Sequence, residues 1–299
     1  MKPEDVKQVT IISGKGGTGK SSLIAALASY LQDKIILADA DVDAADLYLI
    51  FPPEETKSAE YYGLKKAHID KDVCIECDEC KEQCRFEAIT DDIEINSTKC
   101  EGCSLCYHVC PVSAISMIDV VSGYYYISKT RIGDMVHARL NPGEESSGLL
   151  VAEVRKIAKE VASKQQKQLV LIDGSPGIGC PVISSLTGAN FAIIVTEPTL
   201  SGHHDLDRIL QLLKQFKIPG FIVINRSDIN QEISVKIAEE FNETFPVIAE
   251  IPYNRVFVEA MLNKKSVLEM ESDGENTDSI QKTIRDIGDL ILNKLSLNN

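Results

Sequence analysis

Eight of the chain's nine cysteines crowd between Cys74 and Cys110. They form two runs of one spacing, Cys74-x2-Cys77-x2-Cys80-x3-Cys84 and Cys100-x2-Cys103-x2-Cys106-x3-Cys110, the second followed by Pro111. Thiolates so spaced are the ligand run of paired [4Fe–4S] clusters, in which the fourth cysteine of each run serves the other cluster. One cluster is expected on Cys74, Cys77, Cys80 and Cys110, the other on Cys100, Cys103, Cys106 and Cys84. Structural zinc also takes four thiolates, but three on one turn-rich loop suit a cubane better than a single tetrahedral ion. Arg85 stands where a proline is common after the first run, either as a charge that raises a cluster's potential or as a surface residue. The ninth cysteine, Cys180, is expected as a small buried thiol, with a transient metal or cluster ligand as the sharper alternative.

A second chemistry lies near the N-terminus. Gly14-Lys15-Gly16-Gly17-Thr18-Gly19-Lys20-Ser21 fits G-x-x-x-x-G-K-[ST] between an apolar strand and a helical pattern. Glycines let backbone N–H groups wrap phosphates without Cβ clashes, and a helix N-terminus adds a positive dipole end. Lys20 would sit on the β/γ-phosphates of ATP, and the Ser21 hydroxyl on Mg2+. Ser22 belongs to the same turn. Asp39-Ala40-Asp41-Val42-Asp43 follows the second apolar strand, at the edge where ligands bind in parallel sheets. Asp39 and Asp43 are equally suited to cap the following turn. Asp173 ends the strand Leu169–Ile172 ahead of Gly174-Ser175-Pro176-Gly177, a second carboxylate placed to hold Mg2+.

These groups need a frame. Val9–Ile12, Ile35–Ala38, Leu169–Ile172, Phe191–Val195 and Phe221–Ile224 read as buried strands separated by helical stretches, near 21–31, 148–163, 204–216, 233–241 and 277–295. The expected fold is α/β, a mainly parallel sheet with helices on both faces. Residues 70–121 break this pattern: four basic against twelve acidic side chains give them a net charge of −8, more than half of the chain's −14. They also repeat: Cys74, Cys77, Cys80, Cys84, Ala88 and Ile89 recur 26 positions later as Cys100, Cys103, Cys106, Cys110, Ala114 and Ile115. The expected organisation is a discontinuous P-loop domain (1–65 and 122–299) carrying an inserted small α+β ferredoxin-like domain (66–121). Tyr124-Tyr125-Tyr126 reads as a strand returning to the main sheet, and His203-His204 as a helix start.

The full loop, with its early Lys15, resembles the deviant Walker A motif of the MinD/Mrp/ParA and nitrogenase iron protein class of P-loop ATPases. That resemblance implies a dimer in which Lys15 reaches the partner's nucleotide, either a homodimer or a heterodimer with a related ATPase. It implies that Asp41 orients the attacking water and contacts Mg2+, with Asp43 the less favoured candidate. It assigns Gly174–Gly177 to a switch that senses the γ-phosphate, and Asn225 and the Ile251-Pro252-Tyr253-Asn254 stretch, Pro252 above all, to the adenine side. The segment Glu144–Gly148 resembles a family segment that opens a helix.

The union of these parts implies ATP hydrolysis coupled to low-potential electron transfer to a client protein. The alternative is an ATP-dependent carrier of iron–sulfur clusters or metal. A positioning ATPase of the MinD sort is disfavoured, because Lys and Arg are sparse in the closing helical stretch. The acidic surface predicts a redox acceptor or client metalloprotein with a basic docking face and excludes bare nucleic acid as a partner. No secretory signal and no apolar run long enough to span a bilayer are evident, so a cytoplasmic protein without membrane insertion is expected.

Overall fold

The computed structural model describes residues 1–144, 147–272 and 274–297. Glu145 and Ser146 of the Glu144–Gly148 segment therefore lie outside the described residues. The chain begins with β1 (Lys7–Ser13), the phosphate-type loop, α1 (Lys20–Leu31), β2 (Ile35–Asp39) and a one-turn α2 (Leu47–Ile50). An edge strand β3 (Glu55–Tyr62) leads to β4 (Lys66–Ile69), the short helices α3 (Glu79–Glu82) and α4 (Leu105–Val109), and β5 (Ile115–Ile118). Then follow β6 (Val121–Thr130), β7 (Gly133–Leu140), α5 (Ser147–Lys164), β8 (Leu169–Pro176), α6 (Cys180–Leu186) and β9 (Phe191–Thr196). The chain closes with α7 (Leu200–Phe216), β10 (Gly220–Asn225), α8 (Gln231–Phe241), β11 (Val247–Ile251), α9 (Val256–Leu262) and α10 (Glu275–Lys294).

Among the described residues, nine strands make one sheet in the order β11-β10-β9-β1-β8-β2-β7-β6-β3. Neighbours from β11 to β7 run parallel, and β6 and β3 extend the sheet antiparallel. The parallel strands are buried on both faces because alternate side chains enter different layers. Val9 and Ile11 of β1 face a core with α1 and α10, whereas Ile12 faces one with α6, α7 and α8. Helix α5 covers β2, β7 and β8 on a third core built around Leu150, Val154 and Ala158.

Three elements extend beyond their apolar runs. Strand β8 continues through Pro176 with Ser13 paired to Pro176, and Gly174 is required because a methyl there would meet Ile12 and Ser185 at 2.7–2.9 Å. Helix α7 starts at Leu200 rather than near His204, since the Thr199 hydroxyl accepts from Gly202 N at 3.0 Å and caps it. Strand β3 carries mostly exposed polar residues, as an edge strand can. Tyr124–Tyr126 do lie on a strand of the main sheet, β6.

Between β3 and β6 the chain leaves the main sheet. There β4 pairs antiparallel with β5, from Lys66 opposite Ile118 to Ile69 opposite Ile115. Ala67, Ile69, Ala88, Ile89, Ile93 and Ile115 form a separate small core with Cys80 and Cys100. The 26-residue repeat is also a backbone repeat. Left-handed φ at Glu76, Asp78 and Glu87 recurs at Gly102, Ser104 and Ser113. Asp70 N donates to Ala114 O at 2.8 Å, and its counterpart Asn96 N donates to Ala88 O at 2.7 Å.

Candidate functional site

The loop after β1 and the ends of β2, β8, β10 and β11 converge on a cleft of about 370 Å³. Its wall includes Gly16, Gly17, Gly19, Lys20, Ser21, Ser22 and Asp41 from the N-terminal half, with Asn225 and Pro252 from the far side. Gly17 and Gly19 have φ of +81° and +89°. A side chain at Gly19 would also overlap Asn225 Nδ2, which donates to Thr18 O at 2.8 Å and ties the loop to β10. Gly14 packs against Asp205 at the base of the loop.

Lys20 is 6% exposed and bonded to Asp173, with Asp41 Oδ2 3.4 Å away. Burial alone would lower its pKa, but the Asp173 and Asp41 charges more than offset this and raise it. Asp173 is fully buried, and burial pushes its carboxyl up against the pull of Lys20. Its Oδ2 is buried without a hydrogen-bond partner among the described residues, as is Thr18 Oγ1. Polar atoms orphaned at such a point fit a ligand that would satisfy them. Asp39 is also fully buried, and burial with the Asp173 charge pushes its carboxyl well up. It accepts from Asp41 N at 3.3 Å and Leu47 N at 3.2 Å, so it holds the turn into α2. Asp43 is exposed.

Lys15 turns away from the cleft of its own chain. Its Nζ lies 3.2 Å from Ser201 Oγ and 3.6 Å from Glu197 Oε2, and Glu197 also binds Arg226 at 2.5 Å. Several wall residues escaped the sequence reading. Asp46 is hydrogen-bonded to the Ser21 hydroxyl, and its carboxyl is pushed up by burial. Arg226, Phe257 and Met261 line the far side, brought there by β10 and α9. Asp46 continues the run of acids after β2; the others carry no local signal.

The second centre lies between β3 and β6. Cys74, Cys77, Cys80 and Cys110 line one small cavity, and Cys84, Cys100, Cys103 and Cys106 line another. Backbone N–H groups already point at thiols: Glu76 N lies 3.5 Å from Cys74 Sγ and Ala114 N 3.2 Å from Cys110 Sγ. Burial pushes the Cys106 thiol up to about 11 and raises Cys80. Among the described residues no three His, Cys, Asp or Glu side chains close in on a point that would hold one metal ion. Arg85 is exposed. Cys180 is exposed at the first turn of α6, not buried as expected, because Gly179-Cys180-Pro181 opens that helix at the surface. His203 is engaged with Glu240 at 2.8 Å inside α7, not paired with His204.

Comparison with known proteins agrees with the nucleotide cleft. The family model for the CobQ/CobB/MinD/ParA nucleotide-binding domain matches residues 9–267. An uncharacterized protein of Methanocaldococcus jannaschii, MJ0578, is 32% identical over 288 residues, covering 96% of this chain and 98% of that protein. Pyruvate synthase subunit PorD of Methanothermobacter marburgensis is 44% identical over 52 residues, 17% of this chain and 64% of that subunit. Among solved structures, the septum site-determining protein MinD of Pyrococcus horikoshii, complexed with Mg-ADP, aligns with a TM-score of 0.59 at 18% identity over 97% of this chain and 98% of that one. No helix of the described residues is long and apolar enough to cross a membrane. A glycine-wrapped cleft on a parallel sheet, matched by the family model over most of the length, places this chain in the CobQ/CobB/MinD/ParA nucleotide-binding family, and it is an ATPase.

Proposed function

We propose that this ATPase couples its nucleotide state to delivery of low-potential electrons to a client protein. The observation that carries the reading is the sorting of eight thiols into two sets of four, each around its own cavity and each completed by a cysteine from the other run. That exchange is the ligation pattern of paired [4Fe–4S] clusters. Four thiols spread around a cavity, with N–H groups aimed at sulfur, suit a cubane that fills it. Cys74, Cys77, Cys80 and Cys110 would hold one cluster, and Cys84, Cys100, Cys103 and Cys106 the other. When bound, such clusters supply one-electron storage at low potential.

The nucleotide cleft gives the other half. Backbone N–H groups of Gly14–Gly19 wrap the phosphates of ATP, and Lys20 exchanges Asp41 and Asp173 for the β- and γ-phosphates. With Lys20 so moved, Asp173, whose Oδ2 has no partner among the described residues, and Ser21 would hold Mg2+. Asp41 lies at the cleft wall, where it would contact Mg2+ and orient the attacking water. Asn225 and Pro252 flank the base. Lys15, parked on Ser201 and Glu197, is released to the partner's nucleotide in a dimer. The residues 70–121, with their charge of −8, dock on a basic face of the client.

A second reading, a carrier that hands over a cluster or metal, is favoured by one observation. Cys180 is an exposed thiol just beyond the 174–179 loop. One anaerobic experiment separates the two. Dithionite-reduced protein is mixed with Mg-ATP and either a redox dye or an apo-acceptor. Nucleotide-dependent dye reduction with iron retained is the expected result. Iron passed to the apo-acceptor, and abolished by Cys180→Ser, would replace this reading with the carrier.

A further inference from the structure

The two halves of the thiol-bearing unit match in spacing and backbone but not in charge. Lys66, the first residue of β4, is 7% exposed. Its Nζ donates to the carbonyl oxygen of Cys100 at 2.8 Å. The position 26 residues on is Asp92, which is exposed, and the Lys71 ammonium that donates to its carbonyl oxygen is exposed as well. Packing is equally one-sided. Gly102 is held at φ +64°, where a side chain would overlap the Lys65 carbonyl, so residues 65–66 press on the Cys100–Cys103 loop. The counterpart of Gly102 is Glu76, which carries a full side chain at the same backbone conformation. Among the described residues, only the Cys84/Cys100/Cys103/Cys106 site has a buried ammonium beside it.

That ammonium is also shared. Glu144 Oε2 lies 3.4 Å from Lys66 Nζ, with both side chains nearly buried. Glu144 follows β7 and precedes α5, so it belongs to the ATPase frame rather than to the thiol-bearing unit. The loop around it is the contact zone: Gly143 sits beside Thr98, and Asn141 Nδ2 holds Val121 O at 2.8 Å. Helix α5 in turn meets α6, where Gly148 lies against Cys180 just beyond the 174–179 loop.

We propose that Lys66 and Glu144 are the positioning pair that makes the Cys84/Cys100/Cys103/Cys106 site the more readily reduced of the two and ties its potential to the ATPase frame. A buried positive charge stabilises the reduced, more negative form of an adjacent cluster, and a carboxylate beside it offsets that effect. The pair therefore gives the two sites an order. Electrons collect at the Cys100 side, and any movement of Glu144 resets its potential.

This inference rests on the proposed cluster ligation, and the test separates the two. The full chain is purified anaerobically, its iron and sulfide are counted, and a redox titration is followed by electron paramagnetic resonance. The wild type is expected to show two waves. Lys66→Met lowers the upper wave and leaves the other in place, Lys66→Arg keeps it near the wild-type position, and Glu144→Gln raises it. Iron content and ATP turnover stay at wild-type levels in Glu144→Gln, so that variant decides the matter even if Lys66→Met folds poorly. A single wave in the wild type, or waves that move together or not at all in Glu144→Gln with iron intact, overturn the pair. An iron-free wild type removes the cluster reading and the pair with it.

Discussion

Lys20 does two jobs at different times. Without nucleotide it neutralises Asp173 and Asp41, beside the fully buried Asp39, in a site where carboxylates are costly. With nucleotide it serves the phosphates. Lys20→Ala should therefore lower ATP turnover by at least about 100-fold, the scale of losing one charge aimed at a reacting phosphoryl group. It should also destabilise the nucleotide-free protein, by about 3 kcal/mol near neutral pH, because one partner of a buried pair is gone. The sign of the pH dependence follows from the raised carboxyl pKa values of Asp39 and Asp173. Such groups take up protons in the folded state before the unfolded one, so their penalty fades as pH falls. Urea denaturation followed by circular dichroism should show the variant's deficit shrinking between pH 7.5 and 5.5. A deficit that is constant over that range would mean the carboxylates do not feel the lost cation.

At the scale of elements, legibility depended on whether a signal was contiguous. The glycine loop, its preceding strand and its following helix are adjacent in sequence, and the cysteine runs are short. Both could be read from spacing. The wall formed by Arg226, Phe257 and Met261 could not, because the end of β10 and helix α9 bring it together only in the fold. Of the antiparallel edge only β6 showed, through Tyr124–Tyr126; β3 is mostly exposed and polar, and β7 mixes buried Met135 and Val136 with exposed Arg139. That edge also carries a largely buried histidine. His137 on β7 lies opposite Tyr126 of β6 and Asp39 of β2, stacks on the Tyr126 ring at 5.0 Å, and pairs with Ser128 Oγ at 2.9 Å. Burial lowers its pKa to about 4. A lowered histidine keeps the folded state unprotonated while the unfolded chain charges, so its share of stability is lost as pH falls from about 6.5 to 4. The full loss is on the order of 3 kcal/mol. Replacing it by His137→Gln should flatten the stability profile across that window relative to wild type, and parallel profiles would refute the assignment.

For the whole molecule, the decisive fact is how the thiol-bearing unit is joined to the sheet. Strands β3 and β6 pair along their length up to Tyr62 opposite Val121, so the two points of departure are neighbours in space. The unit between them has its own two-stranded sheet and its own small core. The three large cores of the P-loop frame draw no residue from 66–118. A segment attached at adjacent strand ends can be removed without opening the frame. Replacing residues 63–120 by an Asn-Gly turn converts β3 and β6 into an ordinary hairpin. The shortened protein should bind ATP within about 0.5 kcal/mol of the full chain, since the cleft shares no partner with the excised residues. It should hold no iron and should fail to reduce the dye in the presence of Mg-ATP. Isothermal titration with a non-hydrolysable ATP analogue measures the first, and iron analysis the second. Loss of nucleotide affinity in a folded variant would show that the frame depends on its insertion, and that the two centres are one cooperative unit rather than two modules joined at an edge.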